Sequence, residues 1–236
     1  MQRFSRDTFA RIEDRAADQW DTATAIFLKQ QFPDHISAMG AETDDLKRLS
    51  QTVRQDLSRY NIAADQSVRR LCIVALTLGT FFTVDPRFVP DITYALDKYW
   101  RPEQDRVSTA VAATHEWAAY AWAEDGLPAF GIRLADLIQA DAPLRDPYPS
   151  HPALPGQSRL ITAQLDQTFF ETCGTESARH GIDAHWQRRA HAYIACAHGA
   201  RWLDDPQFPR LHRAFAAATT RDDLATALNT YYGGFA

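Results

Sequence analysis

Four histidines crowd residues 180–198: His180, His185, His191 and His198. Metal-binding imidazoles on a helix recur at close spacing on one face, as in HExxH. Here no histidine lies four residues from another, and no HExxH or ExxH pair occurs. His191 and His198 would stand roughly 10 Å apart along a helix at about 1.5 Å per residue. Packing or interface histidines fit better than ligands. Cys173 and His180 match a nucleophile and base by residue type only. Gly156-Gln157-Ser158 begins like a nucleophile elbow, but Leu160 stands where the second glycine belongs and no strand precedes it. Ser158 reads as a helix cap. The acidic pairs Asp44-Asp45, Asp204-Asp205 and Asp222-Asp223 each fall at an expected helix start, where carboxylates take up free N–H groups and complement the dipole. Thr220 and Asp223 have capping-box spacing. No glycine-rich phosphate loop accompanies Arg69-Arg70 or Arg188-Arg189, which read as solvated or ion-pair residues. No catalytic residue, metal ligand or cofactor is expected.

Aromatic residues carry a different chemistry. Trp117, Tyr120 and Trp122 sit on one expected helix, with Trp100 just before it. At about 100° per residue, with Trp117 at zero, Tyr120 falls at about 300° and Trp122 at about 140°. They cannot share one core stripe. One reading wedges this helix between two bodies. The sharper one makes Trp117, Tyr120 and Trp122 a partner site, since tryptophan and tyrosine anchor interfaces.

The elements that must hold these groups are helical almost throughout. Phe9, Ile12, Ala16, Trp20, Ala23 and Phe27 step by three or four and form one stripe, ended by Pro33. Thr43 is the expected cap of a helix carrying Leu46, Leu49, Val53, Leu57 and Tyr60, with Asn61 as terminator. Asp65 is the expected cap of a nearly all-apolar, central helix ending at Gly79. Asp85-Pro86 resembles a helix start. Pro102 opens a long helix from Glu103 to Asp125, closed by Gly126. From Leu134, five prolines (143, 147, 149, 152 and 155) mark an extended linker. Helical pattern resumes at Ser158 with Ile161, Leu165 and Phe169.

The 236 residues carry a net charge of −5, with 45% hydrophobic and 23% charged residues. These values exclude a disordered chain. The acidic balance argues against nucleic acid as a partner, which would require a clustered basic face. Cys72, Cys173 and Cys196 are three, without CxxC spacing, and read as core residues in a reducing compartment. The N-terminus lacks a signal-peptide pattern, and no apolar run reaches the roughly 20 residues a bilayer requires. A soluble, cytoplasmic protein without membrane insertion is expected.

An internal repeat organises the pattern. Residues from Tyr60 align with residues from His180 at a constant offset of 120 without a gap. Ile62 falls on Ile182, Gly79 on Gly199, Asp85-Pro86 on Asp205-Pro206 and Phe88 on Phe208. The matched residues are punctuation: a helix start, a helix-ending glycine and an Asp-Pro step. The expected fold is all-α, two tandem, pseudo-symmetric helical-bundle repeats joined by a long helix and a Pro-rich linker. The first repeat spans 1–100, the inter-repeat helix and linker 101–157, and the second repeat 158–236.

The residues Phe32-Pro33, Tyr60, Ile62, Leu78-Gly79, Phe82, Asp85-Pro86 and Phe88 resemble small all-helical accessory proteins of bacterial type VI secretion clusters, which are encoded beside effector and spike genes. The second copy departs, with His198 for Leu78 and Trp202 for Phe82. The resemblance implies a non-enzymatic adaptor or co-effector whose protein partner is a secretion effector or spike component. A cognate immunity protein is one alternative, and a metal- or His-dependent enzyme is another.

Overall fold

The computed structural model describes residues 6–122, 126–144 and 159–235, with side chains except those of residues 6–9, 120 and 159–166. The described residues form eleven α-helices and no strand. They are α1 (Arg6–Gln31), α2 (Pro33–Met39), α3 (Thr43–Leu57), α4 (Asp65–Leu78), α5 (Tyr94–Leu96), α6 (Glu103–Trp122), α7 (Gly126–Gln139), α8 (Arg159–Arg179), α9 (His185–His198), α10 (Pro209–Ala217) and α11 (Arg221–Gly233). No helix is long and apolar enough among the described residues to cross a membrane.

The two apolar helices α4 and α9 lie at the centre and touch each other. Each has 14 residues, in a register offset by 120. Val68, Leu71, Cys72, Val74, Ala75, Leu76 and Leu78 of α4 are buried, as are all residues from Ala190 to His198 of α9. Helices α3 and α6 cover α4, while α7 and α8 pack on α9, and α11 lies along α7. An added Cβ at Gly131 would sit 2.2 Å from Tyr232 Cβ, so only glycine permits this approach of α7 to α11. The three cysteines are buried thiols that form no disulfide.

The α3 stripe Leu46, Leu49, Val53 and Leu57 is buried with Tyr60, and Asn61 ends the following turn in the left-handed region at φ 51°. Glu42, not Thr43, caps α3: it pairs with Asp45 in a capping box. Asp65 lies inside α4, after Ala64. The start of α4 is instead capped from outside. Glu103 of α6 accepts the Ala63 and Ala64 N–H groups at 3.3 and 3.1 Å, while Arg106, itself buried, donates to the Tyr60 and Leu96 carbonyls at 2.7 Å.

Three further expectations change. The apolar stripe of α1 faces the core only in part: Trp20 and Phe27 pack against it, but Ile12 is 55% exposed and Ala16 and Ala23 are exposed. Asp21, Thr24, Ala25 and Leu28 form the buried face, because Asp21 is held by Ser50 Oγ at 2.8 Å and by Arg54 at 2.7 Å. The Phe9 side chain lies outside the described residues. Gly126, at φ 67°, is the first residue of α7, and residues 123–125, where the preceding helix is expected to end, lie outside the described residues. The segment from Leu134 to Gln139 is helix rather than linker, since Leu134, Ala135, Leu137 and Ile138 form a buried face. Pro147, Pro149, Pro152, Pro155 and Ser158 lie outside the described residues.

The largest correction concerns Asp85 and Asp205. Neither starts a helix. Each ends a short 3₁₀ turn (Phe82–Val84 and Trp202–Asp204) in extended conformation, and the next helical turns begin at Val89 and at Pro209, after Phe88 and Phe208. An Asp-Pro step suits a helix start, but a buried carboxylate goes to whichever donors surround it, and these lie two residues further on and across the molecule.

Candidate functional site

Two carboxylates cross between the segments 60–90 and 180–210. Asp205 accepts from Thr80 N and Thr80 Oγ1, each at 2.6 Å, and from Gln207 N and Nε2, each at 3.1 Å. Asp85 reaches the opposite way to Ala200 N at 3.4 Å, and it accepts from Arg87 N at 3.0 Å and Arg87 Nη2 at 2.8 Å. The two residues beyond each aspartate also cross: Arg87 Nη1 donates to the Cys196 carbonyl at 2.7 Å, and Gln207 Nε2 to the Ala75 carbonyl at 2.9 Å. Gly79 (φ 97°, ψ 150°) and Gly199 (φ 91°, ψ 154°) make the approach possible. A Cβ on Gly79 would meet the His198 carbonyl oxygen at 2.3 Å. The sequence-derived motif residues Gly79, Asp85, Gly199 and Asp205 therefore meet here, with Pro86 and Pro206 in the turns. Phe88, Phe208, Ile62 and Ile182 are buried nearby or at the helix entries. A small cavity of about 20 Å³ lies at this junction, lined by Leu78, Phe81, Asp85, His198 and Arg201 among others. It has room for about one water.

Of the four histidines, His191 and His198 are buried, whereas His180 is partly open and His185 is exposed. His198 is buried, with Tyr232 Oη 2.9 Å from Nε2 and the Phe208 ring centroid at 4.3 Å. Burial pushes its pKa down to about 3 and that of His191 to about 4. His191 Nδ1 lies 3.0 Å from Ser177 Oγ, a serine–histidine contact absent from the sequence reading because the residues sit on different helices. Both residues are fully buried and the ring lies against Trp202, so no substrate reaches them. Cys173 fares no better as a nucleophile: burial raises its thiol well above the usual range, which disfavours the thiolate.

Glu176, His180 and Asp204 bring three ligand-type atoms within 4.8 Å of one another. Two arginines already hold this group. Arg179 Nη2 lies 2.6 Å from Glu176, 2.9 Å from His180 Nε2 and against Asp204, and Arg201 Nη2 lies 3.3 Å from Asp204. A cation bound through His180 Nε2 would displace the guanidinium. At the matching position in the other segment, Arg59 likewise ties Asp56 to Thr83, where no histidine is present. The arrangement is an arginine clasp in both places. The other basic pairs are also occupied: Arg70 bonds Ser108, Arg189 bonds Asp141, Arg188 bonds the Ile182 carbonyl, and Arg69 lies over the Trp20 and Phe27 rings. Asp44 and Asp45 stand in the first turn of α3, and Asp222 and Asp223 in that of α11, where Thr220 and Asp223 complete the capping box. An open cleft of about 820 Å³ runs between α1 and α3, lined by Asp14, Asp18, Arg54, Gln55 and Ile62 among others. Its buried Asp21 is spent on Arg54 and Ser50.

Of the aromatic residues proposed from sequence, Trp117 and Trp122 are half-buried against the core, and Trp117 packs on Phe88 at 5.6 Å. The Tyr120 side chain lies outside the described residues. The open aromatics stand just upstream. A π turn at Val89–Thr93 leads into α5, where Tyr94 is 57% exposed; Tyr99 is 75% and Trp100 66% exposed. Tyr99 and Trp100 meet edge to face at 5.5 Å, and the Lys98 ammonium lies 4.1 Å over the Tyr94 ring. At the 120-residue offset the corresponding residues are Ala214, Thr219 and Thr220. The gap-free match of the two copies ends at Phe88 and Phe208, before these residues, and of the three only Trp100 stands out in the sequence pattern, by preceding α6.

No protein-family model matches the chain, and no curated protein or solved structure matches it.

Proposed function

We propose that the chain is built from two tandem, pseudo-symmetric helical units and acts as a non-enzymatic protein-binding accessory of a type VI secretion effector, as adaptor or co-effector. The tandem reading is supported by equal helix lengths, matching glycine dihedral angles and reciprocal aspartates at one constant offset. The binding reading rests on one observation: the ledge formed by Tyr94, Tyr99 and Trp100 is exposed on the first unit and has no aromatic counterpart on the second. Exposed tryptophan and tyrosine are the usual anchors of protein interfaces, and Val84 and Val89, earlier on the same stretch of chain, are also exposed. The ledge replaces Trp117 and Trp122 as the partner surface, because those two side chains are largely spent on the core. A cytoplasmic home goes with this role, and three buried thiols that form no disulfide fit a reducing compartment.

The test is co-purification with the effector or spike component encoded beside the gene, followed by titration of the purified pair. Trp100→Ala should weaken the complex about thirtyfold, the loss of an anchor worth roughly 2 kcal/mol. Thr220→Ala, at the matching place in the second unit, should leave the affinity unchanged. A complex that tolerates Trp100→Ala, Tyr99→Ala and Tyr94→Ala together would rule out this surface.

A further inference from the structure

The two crossings share geometry but not charge. Asp85 carries its own cation. Arg87 holds it through Nε and Nη2 at 2.9 and 2.8 Å, and the same guanidinium lies 4.1 Å over the Phe169 ring and 4.8 Å over the Phe88 ring. At the position matching Arg87 the second segment has Gln207, a neutral amide. Asp205 is equally buried and has only dipoles around it. A buried carboxylate without a cation is discharged most directly by a proton.

We propose that Asp205 binds a proton where Asp85 has an arginine, so that the junction between the two segments is held by one permanent crossing and one proton-dependent crossing. The site takes the proton without losing a hydrogen bond. In the ionised form the Thr80 hydroxyl donates to Asp205 Oδ1 across 2.6 Å. In the protonated form the same contact reverses: the carboxyl donates and Thr80 Oγ1 accepts. Gln207 Oε1, buried and without a partner, is the free acceptor in the cluster.

The surrounding groups add no cation. From α11 the facing titratable group is Tyr231, kept neutral by burial, with Arg210 of α10 acting on that phenol. From α9 it is His198, neutral for the same reason. The Asp85–Arg87 pair in the opposite turn has no net charge, α4 contributes the Ala75 carbonyl, and the turn after α4 contributes Thr80. Burial pushes the Asp205 carboxyl up to about 6, against the hydrogen bonds from Thr80 and Gln207. The sign follows: a carboxyl raised above its unfolded value stabilises the closed junction below about pH 4, and that contribution is lost as pH rises through about 6.

Carbon-detected NMR titration of the side-chain carboxyls in the intact chain tests this directly. The Asp205 signal should titrate near pH 6. Gln207→Arg should supply the missing cation and weaken proton binding tenfold or more. After correction for intrinsic exchange, protection of the Thr80 amide should fall in the wild type as pH rises through the Asp205 midpoint. A wild-type midpoint at pH 4 or below overturns the proposal, whether or not Gln207→Arg folds. So does a midpoint near 6 that Gln207→Arg leaves in place, or a Thr80 protection that is the same on both sides of the midpoint.

Discussion

Segments 60–90 and 180–210 each run from a 14-residue helix through a glycine to a short 3₁₀ turn, with two chemistries. The first packs large aliphatic residues, Leu71 and Leu78, where the second has His191 and His198. The first neutralises its crossing aspartate with Arg87, and the second surrounds its own with neutral donors. The first then exposes aromatics, whereas the second continues into a regular helix. What is shared is what the backbone demands: glycine at the close approach and a carboxylate for orphan N–H groups. What differs is side-chain chemistry that the same backbone tolerates.

The sharpest test of this comparison is at the glycines. Both adopt dihedral angles that only glycine reaches easily. Gly79→Ala adds a backbone clash at 2.3 Å, whereas a Cβ on Gly199 meets its nearest atom at 3.4 Å. Gly79→Ala should cost about 4 kcal/mol or more in denaturant unfolding, and Gly199→Ala about 1–3 kcal/mol. Equal losses would break the asymmetry.

Asp85→Ala comes next. It removes the carboxylate that the buried Arg87 guanidinium pairs with, which costs about 3–5 kcal/mol. Asp205→Ala strands the Thr80 and Gln207 N–H groups but no charge, and should cost about 2–3 kcal/mol. If Asp205→Ala proves the more damaging, the charge comparison is wrong.

Acid should weaken the second segment selectively. His191 and His198 have folded pKa values below the unfolded value near 6.5, so their stabilising contribution is complete above pH 6.5 and is lost as pH falls toward about 4 and about 3. The loss reaches about 3 kcal/mol for each by pH 4, and Asp205, with opposite sign, offsets part of it. A double variant His191→Leu and His198→Leu, carrying the residues of the first segment, should hold its denaturant midpoint from pH 6.5 to 4.5 while the wild type falls.

The smallest expected effect is at the ledge. Trp100→Ala should change unfolding free energy by less than about 0.5 kcal/mol, because the side chain is mostly exposed. A larger loss would make Trp100 a packing residue and sharpen the contrast differently.

Periodicity in the sequence predicts the all-helical class and the α3 stripe, because Leu46, Leu49, Val53 and Leu57 obey a local rule of burial. The offset of 120 aligns Gly79 with Gly199 and Asp85 with Asp205 for the same reason: each pair marks a local backbone event. The partners of those aspartates were not legible. Thr80 and Asp205 are 125 residues apart, and an Asp-Pro step looks the same whether its carboxylate caps a helix or crosses a junction. The α1 stripe misled because Asp21 and Thr24 form its buried face, which hydropathy assigns to solvent. The aromatic ledge depends on a π turn after Phe88, a one-residue expansion of the helix that no spacing in the sequence announces.

The crossings also set an order of events in folding. Each links residues more than a hundred positions apart, 125 in one direction and 115 in the other. Closing such long loops costs entropy before any hydrogen bond repays it, so contacts of this kind form slowly. Helix α4 can coil and gather α3 early, yet the Gly79-Thr80 turn beyond its end must wait for its acceptor until the turn around Asp205 arrives. Substitutions at Asp85 and Asp205 should therefore accelerate unfolding far more than they retard refolding, the kinetic signature of a contact made after the transition state.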